Sequence, residues 1–543
     1  MTTPHTSPAP DGLLEALDAY ETALLANDLD ALDAAFVDSP GTMRGDDRGL
    51  LVGHDAISAF RGARGGVATR SLTHVEVRPL TEDRALVVSV SRFAAGGQGL
   101  QTQLWRRDGG TSERETGDGD TGSGPRWRIE AAHVTSRPKA VDTTVWRAVG
   151  DPLVAPTASG PLDGLTVAVK DLYAVPGQPV GAGNPTYLRE APVETAPAAA
   201  VAALLAAGAA IRGIARTDEF AYNLTGRNAH HGTPPNSAVP TRLPGGSSSG
   251  SASAVGLGTA EIGIGTDTAG SVRVPASYQG LWGLRTTHGT VSRDGLLPLA
   301  PSFDTVGWLT RSAAVLLAAL DATIPPPSAP AGVPAPTVLV VPEELVALVE
   351  PAVARAFAAF VEALDEPVAT VRLRDLGIPD PAALREQMRL VQAAEAVAVH
   401  GPWIDAHPGA LSTVVGDRFR AARANDPDAT ADAVACLDEV RATIRGALAG
   451  RLLLFPTVPG PAPLLHADTA ALERIRTATT AMTALASVGG LPAVSAPALT
   501  VDGAPVGVCL VGGPATDRAL VIRAGRMLPD QVAPGLPTVS VVG

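Results

Sequence analysis

The chain has 543 residues, 45% of them apolar, and a net charge of −13. That length exceeds one domain of roughly 100–200 residues, and the apolar share can fill a large core. The acidic balance argues against a nucleic-acid footprint and against binding to anionic membranes, both of which need clustered lysine and arginine.

Met1–Tyr20 holds no basic stretch followed by an apolar run, so no secretory leader is expected. From Gly12 to Phe36, apolar residues recur at helical spacing at Leu13, Leu17, Leu24, Leu25, Leu29, Leu32 and Phe36, with a break near Asn27 and Asp28. From Leu72 the pattern turns to short β-like runs: Thr73–Val77, Ala85–Phe93, Leu100–Trp105 and Trp127–Ala132. Arg106–Pro125 is rich in Gly, Asp, Thr and Ser and reads as a long hairpin loop. Two helices and then an antiparallel sheet make a small α+β domain over 1–137.

Residues 138–160 read as a linker, with Pro138, Pro152 and Pro156 in it. Leu165–Val169 is a continuous apolar strand ending at Lys170, Ala196–Ala207 a helix, and Ile211–Ala215 the next strand. The stretch Ala196–Ile211 is apolar but too short to cross a bilayer, so it reads as a buried helix. Strand–helix alternation over 161–543 predicts an α/β unit with a mixed central sheet covered by helices. Pro325–Pro336 reads as a loop, Val346–Leu364 and Pro381–Val399 as helices, and the stretch from Leu452 onward as strands and Gly/Pro loops. Cys436 and Cys509 are the only cysteines, which fits a reducing cytoplasm rather than a disulfide framework.

Of the 42 basic residues only Lys139 and Lys170 are lysines. A base-composition bias that converts lysine to arginine spares it where arginine cannot serve. A buried lysine can become neutral and act as a base, whereas arginine stays protonated. Lys139, beside Pro138, reads as a solvated surface residue.

Gly and Ser crowd two short segments, Gly245–Ser251 and Gly265–Ser271. Glycine permits close backbone approach, and N–H groups in such turns can hold an anion. A hydroxyl nucleophile needs a base and N–H donors for its tetrahedral intermediate, and these loops with Lys170 could supply both. No P-loop occurs, the glycines at 256, 258, 263, 265 and 270 never give G-x-G-x-x-G, and Val167 rules out S-x-x-K at Lys170. His230 and His231 lack a metal-ligand partner set and read as loop or packing residues, so no metal or cofactor is expected. Gly246–Gly250 matches G-x-S-x-G around Ser248, but no apolar strand precedes it, as a nucleophile elbow requires.

The segments GLTVAVKDLYAVPG, PGGSSSGSASAVGLG, IGIGTDTAGSVRVPASYQGLWGL and GLPAVSAPALTVDGAPVGVCLVG together resemble the amidase-signature family. The resemblance runs from Gly160 to the C terminus. It implies a Ser-Ser-Lys triad of Lys170, Ser247 in a cis peptide, and Ser271 as nucleophile, 24 residues after Ser247. It further implies an oxyanion hole of backbone N–H groups at Thr268, Ala269, Gly270 and Ser271, with Asp267 and Arg273 bracing the loop and Ser248 beside the triad. Many relatives have Gly at the position of Ala269, although allophanate hydrolases share TDTAGS. Arg285 stands where relatives often have Lys.

GNPTY, GTPPN, SVRVPASY and SFDTVGW resemble plant-type amidases that act on indole-3-acetamide, which implies a small primary amide as substrate. Residues 1–137 resemble the cone-like AtzH-like and SnoaL-like domains, through Gly53–Ile57, Phe60, Arg61 and Arg64. Relatives of that domain are linked to ureido breakdown, which makes a carboxybiuret or allophanate type of substrate the alternative. The domain reads as a non-catalytic module, for homodimerisation or gating, over a second active site at Arg61 and Arg64. A non-enzyme alternative is a binding scaffold of the kind a plastid import receptor provides, but such scaffolds lose the serine that Ser271 supplies here.

Overall fold

Leu13, Leu17, Tyr20 and Leu24 fall on one face of the helix Leu13–Ala26, and all four are buried. Asn27 ends that helix in the left-handed region, and Asp28 starts the helix Leu29–Ala34 by accepting the Ala31 N–H. The computed structural model describes residues 8–46, 49–64, 67, 69–93, 98–108, 126–135, 141–324 and 338–528. The chain divides into two units, 1–141 and 142–543.

In the first unit the strands are β1 (Met43–Asp46), β2 (Gly49–Val52), β3 (Arg70–Pro79), β4 (Arg84–Phe93), β5 (Gln98–Arg107) and β6 (Trp127–Val134). They form one sheet in the order β2-β1-β6-β5-β4-β3. It is not wholly antiparallel, because β1 pairs with β6 in parallel. The short β1 and β2 and the helix His54–Arg64 had no clear signature in the sequence. Most of the expected hairpin loop, 109–125, and the expected surface residue Lys139 lie outside the described residues.

In the second unit the strands are β7 (Trp146–Val154), β8 (Thr166–Lys170), β9 (Ala210–Ala215), β10 (Ile262–Asp267), β11 (Trp282–Arg285) and β12 (Thr305–Thr310). They continue with β13 (Val338–Pro342), β14 (Val368–Val371), β15 (Arg451–Pro456), β16 (Ala493–Val501) and β17 (Ala504–Val511). The order is β14-β13-β15-β17-β16-β11-β12-β10-β8-β9-β7, a mixed sheet. β7 corrects the reading of 138–160 as a linker. Its Gly150 and Pro152 look like loop punctuation, but β7 is an edge strand with an irregular register, where proline is tolerated.

The stretch after Leu452 also departs from the expectation of strands and loops, for it holds the helices Thr469–Gly489 and Asp517–Met527. From Thr479 to Gly489 every residue is buried, so no amphipathic period marks that helix. The expected loop at 325–336 lies outside the described residues.

Two parallel neighbours position the chemistry. β8 and β10 pair Val167 with Ile262 and Val169 with Ile264, so both strands end at the same edge. Lys170 closes β8 there, and Thr266 and Asp267 close β10. In parallel sheets this carboxyl-end edge is where ligands bind. The helix Ser249–Gly256 packs on both strands. A Cβ at Gly265 would stand 2.5 Å from the Ser248 Oγ, so glycine there lets the Ser-rich loop reach the strand ends.

Candidate active site

Lys170 is fully buried, and its Nζ lies 2.8 Å from Ser247 Oγ, 3.1 Å from Ser248 Oγ and 2.7 Å from Thr266 Oγ1. No carboxylate lies within ion-pair distance of it among the described residues. Burial lowers its pKa to about 7, against the pull of the more distant Asp218, Asp304 and Asp267. Burial also pushes the Asp218 carboxyl up to about 6, although it accepts from Gly226 N and Ser249 Oγ.

Ser247 follows a cis Gly246–Ser247 peptide. Its carbonyl accepts from Thr217 Oγ1 at 2.9 Å and Asp218 N at 3.3 Å. The two glycines before it have separate reasons. Gly245 adopts φ +76°, and a Cβ at Gly246 would meet the Asp218 carboxylate at 2.5 Å. Ser248, the centre of the discounted G-x-S-x-G match, is buried and bonded to Lys170 and Thr266, after a loop rather than a strand.

Ser271 stands just before the helix Arg273–Gln279, and its carbonyl accepts from Ser248 N at 3.2 Å, which joins the two Ser-rich loops. Its hydroxyl has no hydrogen-bond partner among the described residues, Ser247 included. Catalytic hydrogen bonds are often loose without substrate and tighten on binding. Of the four N–H groups expected to hold an oxyanion, Gly270 N donates to Asp267 Oδ1 at 3.0 Å. The N–H groups of Thr268, Ala269 and Ser271 have no acceptor among the described residues.

Asp267 and Arg273 form a fully buried pair, with Arg273 Nη2 at 2.8 Å and Nε at 3.0 Å from the carboxylate. Arg285 adds Nη1 at 3.2 Å from Asp267 and reaches the Phe303 carbonyl with Nη2. Burial alone would raise the Asp267 carboxyl, but the two guanidiniums hold it well below the usual carboxylate range. Asp267 also accepts from Gly270 N, Val272 N and Arg273 N, so one carboxylate ties down the loop that carries Ser271.

Ser271 lines a narrow cavity of about 30 Å³. Ala221, Tyr222, Leu224, Ala269 and Leu299 form its apolar side, and Gln392, Arg418, Arg476 and Thr480 its polar side. Asn223, Arg418 and Arg476 also line a wider cavity of about 600 Å³. Another cavity of about 560 Å³, bordered by Ala394, Ala422 and Val434, has no titratable side chain in its lining. The sequence reading missed Thr266, Asp218, Arg418 and Arg476. Thr266 lies inside the segment Gly265–Ser271, whereas the arginines sit on helices without a motif. His230 is 2.8 Å from the buried Glu219 carboxylate, and no group of three or more metal-binding side chains forms among the described residues.

In the first unit, Arg61 donates to the Leu32 carbonyl at 2.7 Å and lies 4.1 Å over the Phe36 ring. The side chain of Arg64 is outside the described residues. Glu21 is held by Arg70 and by Gln101, which Gln103 and Trp105 extend into a buried chain of hydrogen bonds.

Comparison with known proteins matches residues 150–521 to the family described as Amidase and residues 11–139 to AtzH-like. "Amidase 1" of Arabidopsis thaliana is 37% identical over 67% of this chain and 93% of its own length. "1-carboxybiuret hydrolase subunit AtzE" of Pseudomonas sp. (strain ADP) is 32% identical over 68% of this chain and 84% of its own. A solved structure titled "Crystal structure of amidase" is 33% identical, with a TM-score of 0.60, over 68% of this chain and 85% of that one.

Proposed function

The chain belongs to the Amidase family, and on that premise we propose that it hydrolyses a small primary amide to carboxylate and ammonia through an acyl-enzyme on Ser271. The observation that carries this reading is the fully buried Lys170, bonded only to hydroxyls and with its pKa lowered to about 7.

A neutral Lys170 has two N–H bonds and one lone pair. The N–H bonds suit Thr266 and Ser248, which leaves the lone pair for the Ser247 hydroxyl. Ser271 Oγ attacks the amide carbonyl carbon while its proton passes to Ser247 and the Ser247 proton to Lys170. The carbonyl oxygen becomes an oxyanion, with Thr268, Ala269 and Ser271 N–H as its donors, each worth about 3–4 kcal/mol of barrier. The relay runs back, the leaving nitrogen takes the proton and departs as ammonia, and an ester on Ser271 remains. Water then loses its proton into the same relay and attacks that ester, freeing the carboxylate and restoring Ser271.

The AtzH-like unit is assigned a non-catalytic share, as a homodimerisation or gating module. The commitment of Arg61 to the Leu32 carbonyl and the Phe36 face supports this. No helix among the described residues is long and apolar enough to cross a membrane. Both cysteines are free, which supports a reducing, cytoplasmic setting.

The test is ammonia release from indole-3-acetamide, benzamide, allophanate and biuret. Ser271→Ala is expected to lose about 10⁴–10⁶ of kcat on whichever substrate is turned over. Retained turnover in that variant would remove Ser271 from the mechanism.

A further inference from the structure

Asp218 is a carboxylate with no exposed surface, and the relay from Ser271 to Lys170 gives it no part. No cation lies within ion-pair distance of it among the described residues. Burying a carboxylate without a counter-charge is costly, so its surroundings bear on what it does.

Both its backbone and its side chain hold the turn that carries Ser247. Asp218 N donates to the Ser247 carbonyl at 3.3 Å. Oδ1 accepts from Ser249 Oγ at 3.1 Å, and Oδ2 from Gly226 N at 2.9 Å. A Cβ at Gly246 would stand 2.5 Å from Oδ2 and 2.7 Å from Oδ1, so the carboxylate lies flat against the residue before Ser247. Gly246 N in turn donates to the carbonyl of Leu224, a residue that lines the same cavity as Ser271.

Asp218, Asp304 and Asp267 are the carboxylates that act on Lys170. Asp267 is compensated by Arg273 and Arg285. Asp304 is taken by Thr268 Oγ1, Leu299 N and Ala300 N. Asp218 is the one that also grips the Ser247 turn. When Lys170 takes the proton it becomes an ammonium in a buried, weakly screened place, where a fixed negative charge stabilises it more than in water.

We propose that Asp218 is a positioning residue of the relay, pinning the Ser247 turn and supplying the fixed negative charge that stabilises the ammonium formed on Lys170. This rests on the relay of Lys170, Ser247 and Ser271 in the proposed function. Of the three carboxylates, Asp218 pulls the Lys170 amine up the most. Burial pushes the Asp218 carboxyl up to about 6, below the value of about 7 for Lys170, so it is ionised where Lys170 is a base. The charged groups that act on Asp218 are Lys170 at the end of β8 and Arg418 on the helix Thr413–Arg423. Removing the Asp218 charge lowers the Lys170 pKa, whereas loosening the site and letting solvent reach the amine raises it.

The experiment titrates Lys170 itself in the full-length protein. Lys139 and Lys170 are the only lysines, so isotope-labelled lysine gives two side-chain NMR signals, and Lys170→Met identifies the one from Lys170. Asp218→Asn is expected to move the midpoint of that signal down by about 0.5–1 pH unit, and the acid limb of kcat/KM with it. Above the limb, kcat is expected to fall about tenfold with KM unchanged. Asp218→Ala also takes the acceptor from Gly226 N and Ser249 Oγ, and is expected to lower kcat further at the same shifted midpoint. A role confined to packing would lower kcat and leave the midpoint unmoved or raised, and that result overturns the proposal.

The wild-type titration decides the matter even if neither variant folds. The Lys170 signal is expected to carry a second, smaller step at lower pH as Asp218 takes its proton, and a single step overturns the proposal. Turnover retained in Ser271→Ala would sink the nucleophile assignment alone, since the titration needs no turnover.

Discussion

Basic side chains of two kinds are buried around Ser271. Arg273 and Arg285 close on Asp267 with every partner at side-chain exposures of 0%. Lys170 is withdrawn from water with no carboxylate in ion-pair distance among the described residues, bonded there to the hydroxyls of Ser247, Ser248 and Thr266. Compensated charge holds a loop in place. Uncompensated charge is costly, and on the proposed mechanism what it supplies at Lys170 is a base.

The sharpest way to break that contrast is Lys170→Met. It removes a buried amine whose charged form has no counter-charge, so kcat/KM is expected to fall by about 10²–10⁴ while thermal stability holds or rises. A loss of stability with turnover intact would place Lys170 on the structural side. Asp267→Asn is the reverse case, because it leaves two guanidiniums uncompensated. Denaturant unfolding is expected to show a loss of about 3–5 kcal/mol. An unchanged midpoint would show that the pair does not brace the nucleophile loop.

The pH profile sharpens the assignment of the base. Lys170 must be neutral to accept a proton, and burial lowers its pKa to about 7. Below that value its protonated fraction grows, so kcat/KM should fall by about tenfold per pH unit on the acid side and level off above about 7. A flat profile from pH 5 to 8, on the order of the range where such groups titrate, contradicts a lysine base. The smallest expected effect on turnover is in the first unit. Glu21→Gln weakens the bidentate contact with Arg70 and is expected to lower stability by about 1–3 kcal/mol, with kcat unchanged. Lost turnover in that variant would give the AtzH-like unit a chemical share.

The sequence made some of this legible and hid the rest for physical reasons. Lys170, Ser247 and Ser271 stand in Gly/Ser-dense segments whose composition follows from close packing, as the contact between Gly265 and Ser248 illustrates. The strands β8, β9 and β10 were readable as apolar runs or motif segments. β7 was not, because an edge strand tolerates the proline and glycine that mark a linker. The helix Thr469–Gly489 was hidden because its second half is buried on every side and lacks a polar face. Gly270 was expected in the oxyanion hole, yet the Asp267 carboxylate that fixes the loop takes its N–H. Arg418 and Arg476 carried no sequence signal, since only the tertiary fold brings their helices to Ser271.

Reaction with a fluorophosphonate, followed by peptide mass spectrometry, tests the central claim most directly. The account predicts a single adduct on Ser271 that is absent in Ser271→Ala and slower to form in Lys170→Met. An adduct on Ser248, or no adduct on the native protein, would contradict it.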